Sequence, residues 1–339
     1  MKKSTLRGLI LILVGISLLF YFPNLVATSR SYIWWLLSAI LIGLITLAYF
    51  LKSSLTHPVL VEKHFNSDAA QSLVIESINT NIEIRKSLSS TATVQLIGKS
   101  SHLSSDELDI SFDDTTETIT ISTGSNNYLR SFFSFSFLKL IIDLPEKHWS
   151  SVRIKATSGN ITMNNCQATN IQVKSISGNV IATHMDSSQL SVDVLSGNIK
   201  LDDINNTLTS LHTKSGNIKA ARLQTNNLQF AAVSGNVHIS GGSMGIDGDA
   251  KSGNIKLLLD QIIHHSTLSA KSGNIMLSLL SPSQHLAVDY AGRSGIGKVH
   301  KDGFIVRHKN DHRNEIRGLF GNGTTSLIVQ TSSGNFTLQ

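Results

Sequence analysis

SGNITMNNCQATNIQVKSISGNVIATHMDSSQLSVDVLSGNIKLDDINNTLTSLHTKSGNIK, residues 158–219, repeats one pattern at a spacing of 19. The tripeptide Ser-Gly-Asn opens each copy, and apolar residues return at fixed distances from it. Self-similarity at a fixed period is the mark of an array whose units each supply one coil of a solenoid. The corner continues along the chain as Gly159-Asn160, Gly178-Asn179, Gly197-Asn198, Gly216-Asn217, Gly235-Asn236, Gly253-Asn254 and Gly273-Asn274, with further copies at Ser294, where Gly295 and Ile296 follow, and at Ser333.

Aligned on the glycine, the copies form apolar columns. Four residues before the serine stand Ile154, Val173, Val192, Leu211, Phe230 and Leu268, with Gly248 as the exception. After the asparagine stand Ile161, Val180, Ile199, Ile218, Val237, Ile255 and Ile275, and two places on Met163, Ala182, Leu201, Ala220, Ile239, Leu257 and Leu277. A fourth column holds Cys166, Met185, Ile204 and Leu223; a fifth holds Ile171, Leu190, Leu208, Leu228 and Ile246, with Leu208 and Ile246 read as one place early. Alternation of period two on either side of the tripeptide predicts two short strands joined at the corner, plus a looser third side rich in Asn and Gln. Glycine suits the corner because a sharp turn often requires positive φ, and asparagine can bond the local backbone or stack on the next coil's asparagine. One coil buries too little apolar surface to offset the ordering of its backbone, so stability must grow along the stack and its ends need caps.

The front cap is expected from Leu60 to Val152, where SLVIESINTNIEIR (72–85) reads as a degenerate coil with Asn81 at its corner. At the far end a polar insertion, Gly297 to about Asn322, precedes SLIVQTSSGNFTLQ, read as the last coil. The aromatic run Tyr128 to Leu140 is expected to cover the open end of the stack, with a dip of Phe133, Phe135 and Phe137 toward the bilayer as the alternative. Fold class is therefore all-β: a β-solenoid of 19-residue coils preceded by a two-helix transmembrane hairpin. Residues 1–52 form the hairpin, 53–152 a linker with degenerate N-terminal coils, and 153–339 the regular solenoid with its insertion and cap.

The hairpin is read from two charge-free apolar runs, Gly8 to Val26 and Ile33 to Leu51, each long enough to span a bilayer as a helix. Lys2, Lys3 and Arg7 precede the first run, Arg30 alone lies between the two, and Lys52 and Lys63 follow. The excess of cations at both flanks places them in the cytoplasm and the solenoid with them, in a multi-pass membrane protein. The alternative is extracellular display, which requires an inverted hairpin or a second run that fails to insert. A cleaved signal peptide ending near Ala27 and Ser29 is a further reading, although the second run would still return the chain inside.

The net charge of +6 over 339 residues is spread among many positions and predicts no nucleic-acid partner, while suiting residence beside an anionic membrane. One cysteine, Cys166, excludes an intramolecular disulfide and any zinc site built from several cysteines. Lysines flank the corners: Lys200, Lys214, Lys219, Lys251, Lys256 and Lys271 stack into an expected basic stripe, read either as a binding surface for an acidic partner or lipid headgroups, or as a solvated edge that blocks aggregation. His264 beside His265, and Asp202 beside Asp203, point to opposite faces of a strand, so neither pair predicts a metal or catalytic centre. No catalytic residue, cofactor or metal is expected, and the chain reads as non-enzymatic. Self-association through stacked coil ends is an open possibility.

The step LKLIIDLP, the repeated SGNI and SGNV corners and the closing GNGTTSLIVQTSSGNFTLQ resemble the bacterial family described as putative adhesins with β-strand repeats, to which LiaG-like proteins belong. The resemblance spans Leu60 to Gln339. The opening GLILILVG and the run WWLLSAILIGL are similar to the paired spans of LiaI and LiaF proteins. These resemblances imply a role in the envelope stress response, a protein partner such as a sensor or regulator, and no family catalytic residues to carry over. Surface adhesion is the alternative function.

Overall fold

The computed structural model describes residues 41–43, 57–100, 108–123, 136–281, 285–312 and 314–339. Both apolar runs of the expected hairpin lie outside these residues, apart from Leu41, Ile42 and Gly43, which are helical and exposed. Among the described residues no helix is long and apolar enough to cross a membrane. Residues 124–135, most of the aromatic run, also lie outside. At its end Phe137 is exposed, whereas Leu138 and Leu140 are buried.

The chain divides into two units, one gathering Met1–Val59, Gly98–Ser104 and Asn127–Phe137, and the other Leu60–Ile97, Ser105–Asn126 and Leu138–Gln339. The second is all-β. In chain order the N-terminal strands are β1 (His57–Asn66), β2 (Ser72–Ser87), β3 (Thr91–Ser100), β4 (Leu108–Asp113), β5 (Thr118–Thr123), β6 (Ser136–Pro145) and β7 (His148–Ser158). The regular coils follow as β8 (Ile161–Ser177), β9 (Val180–Ser196), β10 (Ile199–Ser215), β11 (Ile218–Gln224), β12 (Asn227–Ser234), β13 (Val237–Gly241), β14 (Gly245–Ser252), β15 (Ile255–Leu259), β16 (Ser266–Ser272) and β17 (Ile275–Leu279). The end of the chain holds β18 (Leu286–Gly292), β19 (Gly297–Val299), β20 (Ile305–Lys309), β21 (Glu315–Leu319), β22 (Thr325–Ser333) and β23 (Phe336–Leu338).

Each coil has three sides rather than two strands and a loose return. In β8 the buried positions are Ile161 and Met163, then Cys166 and Ala168, then Ile171, Val173 and Ser175. Every break in the alternation of two is a corner. The Ser-Gly-Asn corner closes the third side, and a second corner falls where Asn165, His184, Asp203 and Arg222 adopt φ of 55°, 53°, 58° and 50°. Asn, Asp and His tolerate the left-handed region better than other residues with a Cβ, so the strand turns there without a glycine. Pairing continues through this corner: β8, β9 and β10 are each one 17-residue strand, in parallel register from Ile161↔Val180 and Val180↔Ile199 onward.

The register corrects the fifth column. Leu208 lies opposite Gln189 and Asn227, while Thr209 takes the buried place between Leu190 and Leu228. Ile246 stands directly opposite Leu228, not one place early. Gly248, the gap in the fourth-before-serine column, faces Phe230; a Cβ on Gly248 would lie 2.2 Å from Phe230 Cζ, so the large ring fills the space the glycine leaves. The second side hides a column that the apolar pattern did not reveal: Ala168, Ser187, Asn206 and Thr225 are all buried.

Stacking order departs from chain order at both ends. β2 is an interior coil: it pairs with β7 and β8 on one edge and with β5 and β6 on the other. β3 pairs with β6, and β1 with β3. At the far end β22 and β23 are not the outermost coil. β22 inserts between β16 and β18, and β23 between β17 and β19, all in parallel. The inserted coils, β2 at one end and β22 with β23 at the other, thereby satisfy backbone donors and acceptors on two edges instead of one. Antiparallel strands then close the third side: β4 on β5 at one end, and β21 on β18 with β20 on β21 at the other. The insertion after Gly297 is thus a cap built as a hairpin.

Candidate functional site

The Ser-Gly-Asn corner is the most regular feature of the molecule. Gly197 has φ 149°, and a Cβ placed on it would sit 2.1 Å from the carbonyl oxygen of Gly178 in the coil below. Conformation and close approach therefore both demand glycine. The Gly178 amide donates to Ser196 O at 3.0 Å and the Val180 amide to Asn198 O at 2.9 Å, so the corner is stitched by backbone on both sides of the glycine. Asparagine adds a second seam. The backbone amide of each corner asparagine donates to the side-chain oxygen of the one below: Asn160 to Asn81 at 2.8 Å, Asn179 to Asn160 and Asn198 to Asn179 at 2.9 Å, and Asn217 to Asn198 at 2.8 Å. The ladder continues through Asn236, Asn254, Asn274 and Asn335 and ends where the Ile296 amide donates to Asn335 Oδ1.

This seam holds the flanking side chains in two rows. Just after the corner, Lys200 stands opposite Lys219, Lys219 opposite His238, and His238 opposite Lys256. Successive coils bring these side chains to roughly 4.8 Å spacing. Just before the corner the row holds Ile176, Leu195, Lys214, Val233, Lys251 and Lys271, since the serines that follow them pair coil to coil. The basic stripe is therefore two rows. Lys251 and Lys271 are neighbours, whereas Val233 separates Lys214 from Lys251. All six lysines are exposed, and none forms an ion pair with a described residue. Ile176, Leu195 and Val233 are 53%, 47% and 39% exposed. Those three residues and His238 extend the site beyond the lysines, and the signal that finds them is alignment on the serine, not charge.

Other polar groups are separate from this corner. A groove of about 220 Å³ lies along the left-handed corner, lined by Lys147, Trp149, Asn165, Cys166, His184 and Asp203 among others. In it His184 Nε2 is 3.4 Å from Asp203 Oδ2, with both side chains more than half exposed, a pair that water screens. Lys147 reaches inward: its ammonium donates to Ser67 O and Ala70 O and lies 4.0 Å above the Trp149 ring. Burial pushes its pKa down, opposed in part by Asp68. Cys166 is buried and its thiol is pushed up to about 12 by desolvation. Asp202 pairs with Arg222 at 2.8 Å, and His265 bonds Ser326 Oγ at 2.8 Å. Among the described residues no three His, Cys, Asp or Glu side chains are grouped to hold a metal ion.

A family model, the toastrack family DUF4097, matches residues 70–339, the whole of the stacked body from β2 onward. The chain belongs to the toastrack family. No curated protein matches it. The toastrack domain is similar to solved structures of low identity. One is described as a putative adhesin from Bacteroides fragilis, at 14% identity over 83% of this chain and 97% of that chain, with a TM-score of 0.44. Another is a putative lipid binding protein from Parabacteroides distasonis, at 13% identity over 83% and 97%, TM-score 0.41. A third is a putative cell adhesion protein from Clostridium sporogenes, at 14% identity over 83% and 99%, TM-score 0.29.

Proposed function

We propose that the toastrack domain is a non-catalytic scaffold, held to the bacterial membrane by residues 1–52, that presents its Gly-Asn corner to an acidic protein partner in envelope-stress signalling. One observation carries this reading: the rows beside the asparagine ladder set unpaired lysines and exposed aliphatic side chains on a rigid repeat. A cation row at strand spacing costs Coulomb repulsion that an anionic partner relieves, and the aliphatic row adds contact area beside it. Rigid parallel stacking means little ordering entropy is lost on binding.

The test replaces Lys214, Lys219, Lys251 and Lys256 with Gln in the full chain and measures capture of envelope proteins and of anionic vesicles. Loss of one acidic protein partner with vesicle binding unchanged supports the reading. Unchanged capture of every partner overturns it, and loss of vesicle binding alone assigns the rows to lipid. Reporter fusions at Gln339, one active only in the cytoplasm and one only outside, test the side of the membrane. Cytoplasmic activity is expected from Lys2, Lys3 and Arg7; exterior activity would favour adhesion instead.

A further inference from the structure

The third side of the coil is one sheet from end to end, and its two edge strands differ in charge. At one edge stands β4, LDISFD, with Asp109 and Asp113 exposed. At the other stands β20, IVRHK, exposed along its whole length with Arg307, His308 and Lys309. Among the described residues β4 pairs only with β5, and β20 only with β21. Each edge also exposes apolar surface: Phe112 is 44% exposed, and Ile305 and Val306 are 51% and 52%. An edge with free backbone donors and acceptors and exposed apolar side chains is a template for another strand.

We propose that β20 of one toastrack domain pairs with β4 of a second copy, joining molecules head to tail through the third-side sheet. Direction allows it. β18 and β5 run parallel to the coil strands, β21 and β4 antiparallel to them, and β20, antiparallel to β21, is parallel to them again. Translation of a second copy along the stack therefore sets its β4 antiparallel to β20, the better of the two ladder geometries. Charge selects this pairing over the others. β4 against β4 would bring Asp109 and Asp113 beside their own copies, and β20 against β20 would bring the Arg307 and Lys309 cations together; only the mixed pair sets an acidic edge beside a basic one, with Lys309 on the Ile316 face of the sheet and Asp109 and Asp113 on the other. Asp113 is held ionised by bonds from the Thr116 hydroxyl, at 2.8 Å, and the Thr115 amide, at 2.9 Å, which lower its pKa. Such a contact is heterologous and does not close on itself, so the product is an open chain rather than a dimer.

The experiment is sedimentation of the full chain in detergent micelles at rising protein concentration. Wild type is expected to pass beyond dimer. D109K/D113K makes both edges basic and R307D/K309D makes both acidic, so each variant alone should associate about tenfold more weakly or worse. An equimolar mixture of the two should associate again, because each then offers the other an opposite edge. A wild type that stays monomeric, variants that associate as wild type does, or a mixture that stays apart while both variants keep wild-type far-UV spectra would each overturn the proposal. If reversal disturbs folding, D109N/D113N and R307Q/K309Q make the same comparison through weakened association and loss of its salt dependence.

Discussion

Replacing Gly197 with alanine adds one carbon at the centre of the stack, 2.1 Å from Gly178 O and at φ 149°. To reach ordinary contact the corner must move away from the coil below by about 1 Å or more. That movement strains three bonds across the interface: Gly178 N to Ser196 O at 3.0 Å, Val180 N to Asn198 O at 2.9 Å, and Asn198 N to Asn179 Oδ1 at 2.9 Å. Each is worth about 1 kcal/mol net, and the backbone conformation adds about 1 to 3 kcal/mol for a residue with a Cβ, giving a cost of about 4 kcal/mol or more. Because a solenoid is held by nearest-neighbour interfaces, the damage stays local. Hydrogen exchange of the full chain is the assay. Peptides across Gly178 to Asn198 should lose about a thousandfold in protection, while those across Ile255 to Leu279 keep theirs. Gly303→Ala is the control, since that glycine has φ 83° but no atom nearer than Phe320 Cδ1 at 4.0 Å; it should cost only about 1 to 2 kcal/mol. Equal and small effects at both positions would refute the claim that close coil contact, not turn conformation alone, demands the corner glycine.

Gly248→Leu should destabilise by about 1 to 3 kcal/mol by overpacking Phe230, and much less in a Phe230→Leu background; additive effects in denaturant melts would sever the link between the two. Ser175 and Ser187 hydroxyls are buried without hydrogen-bond partners among the described residues, so Ser175→Ala and Ser187→Ala should each raise stability by about 1 kcal/mol, seen as a higher thermal midpoint, and a lowered midpoint would contradict this. Cys166 should react with a thiol reagent at pH 8 only after unfolding in urea, and prompt labelling of the native chain would show the site to be open. Its thiol pKa rises from 9.0 to about 12 on folding, so above pH 9 the unfolded chain gives up this proton first. The Cys166 contribution to stability is therefore intact below about pH 9 and falls progressively toward 12, a slope that Cys166→Ala should remove.

Much of the coil could be read from residues alone, for a physical reason. A repeat writes each structural requirement many times, so Gly159, Gly178 and Gly197, or Ile161, Val180 and Ile199, report the same environment and their agreement reveals it. The left-handed corner escaped that reading because Asn165, His184, Asp203 and Arg222 share a conformation but no obvious chemistry. The polar column of Ser187, Asn206 and Thr225 was hidden for the related reason that burial there follows position, not hydrophobicity. In the candidate site the lysines were legible by charge. Their division into two rows, with Val233 between Lys214 and Lys251, was visible only as coil-to-coil register.

By itself the sequence determined the all-β solenoid, its period of 19, its glycine corner and most of its apolar columns, because these follow from local conformation and nearest-neighbour stacking. Tertiary structure alone decided the ends. That β2 lies inside the stack, that β22 slips between β16 and β18, and that β4 and β20 form opposite edges of one sheet depend on which distant strand pairs best with a free edge. Strands with the same alternation are interchangeable as patterns, and only long-range backbone pairing distinguishes them.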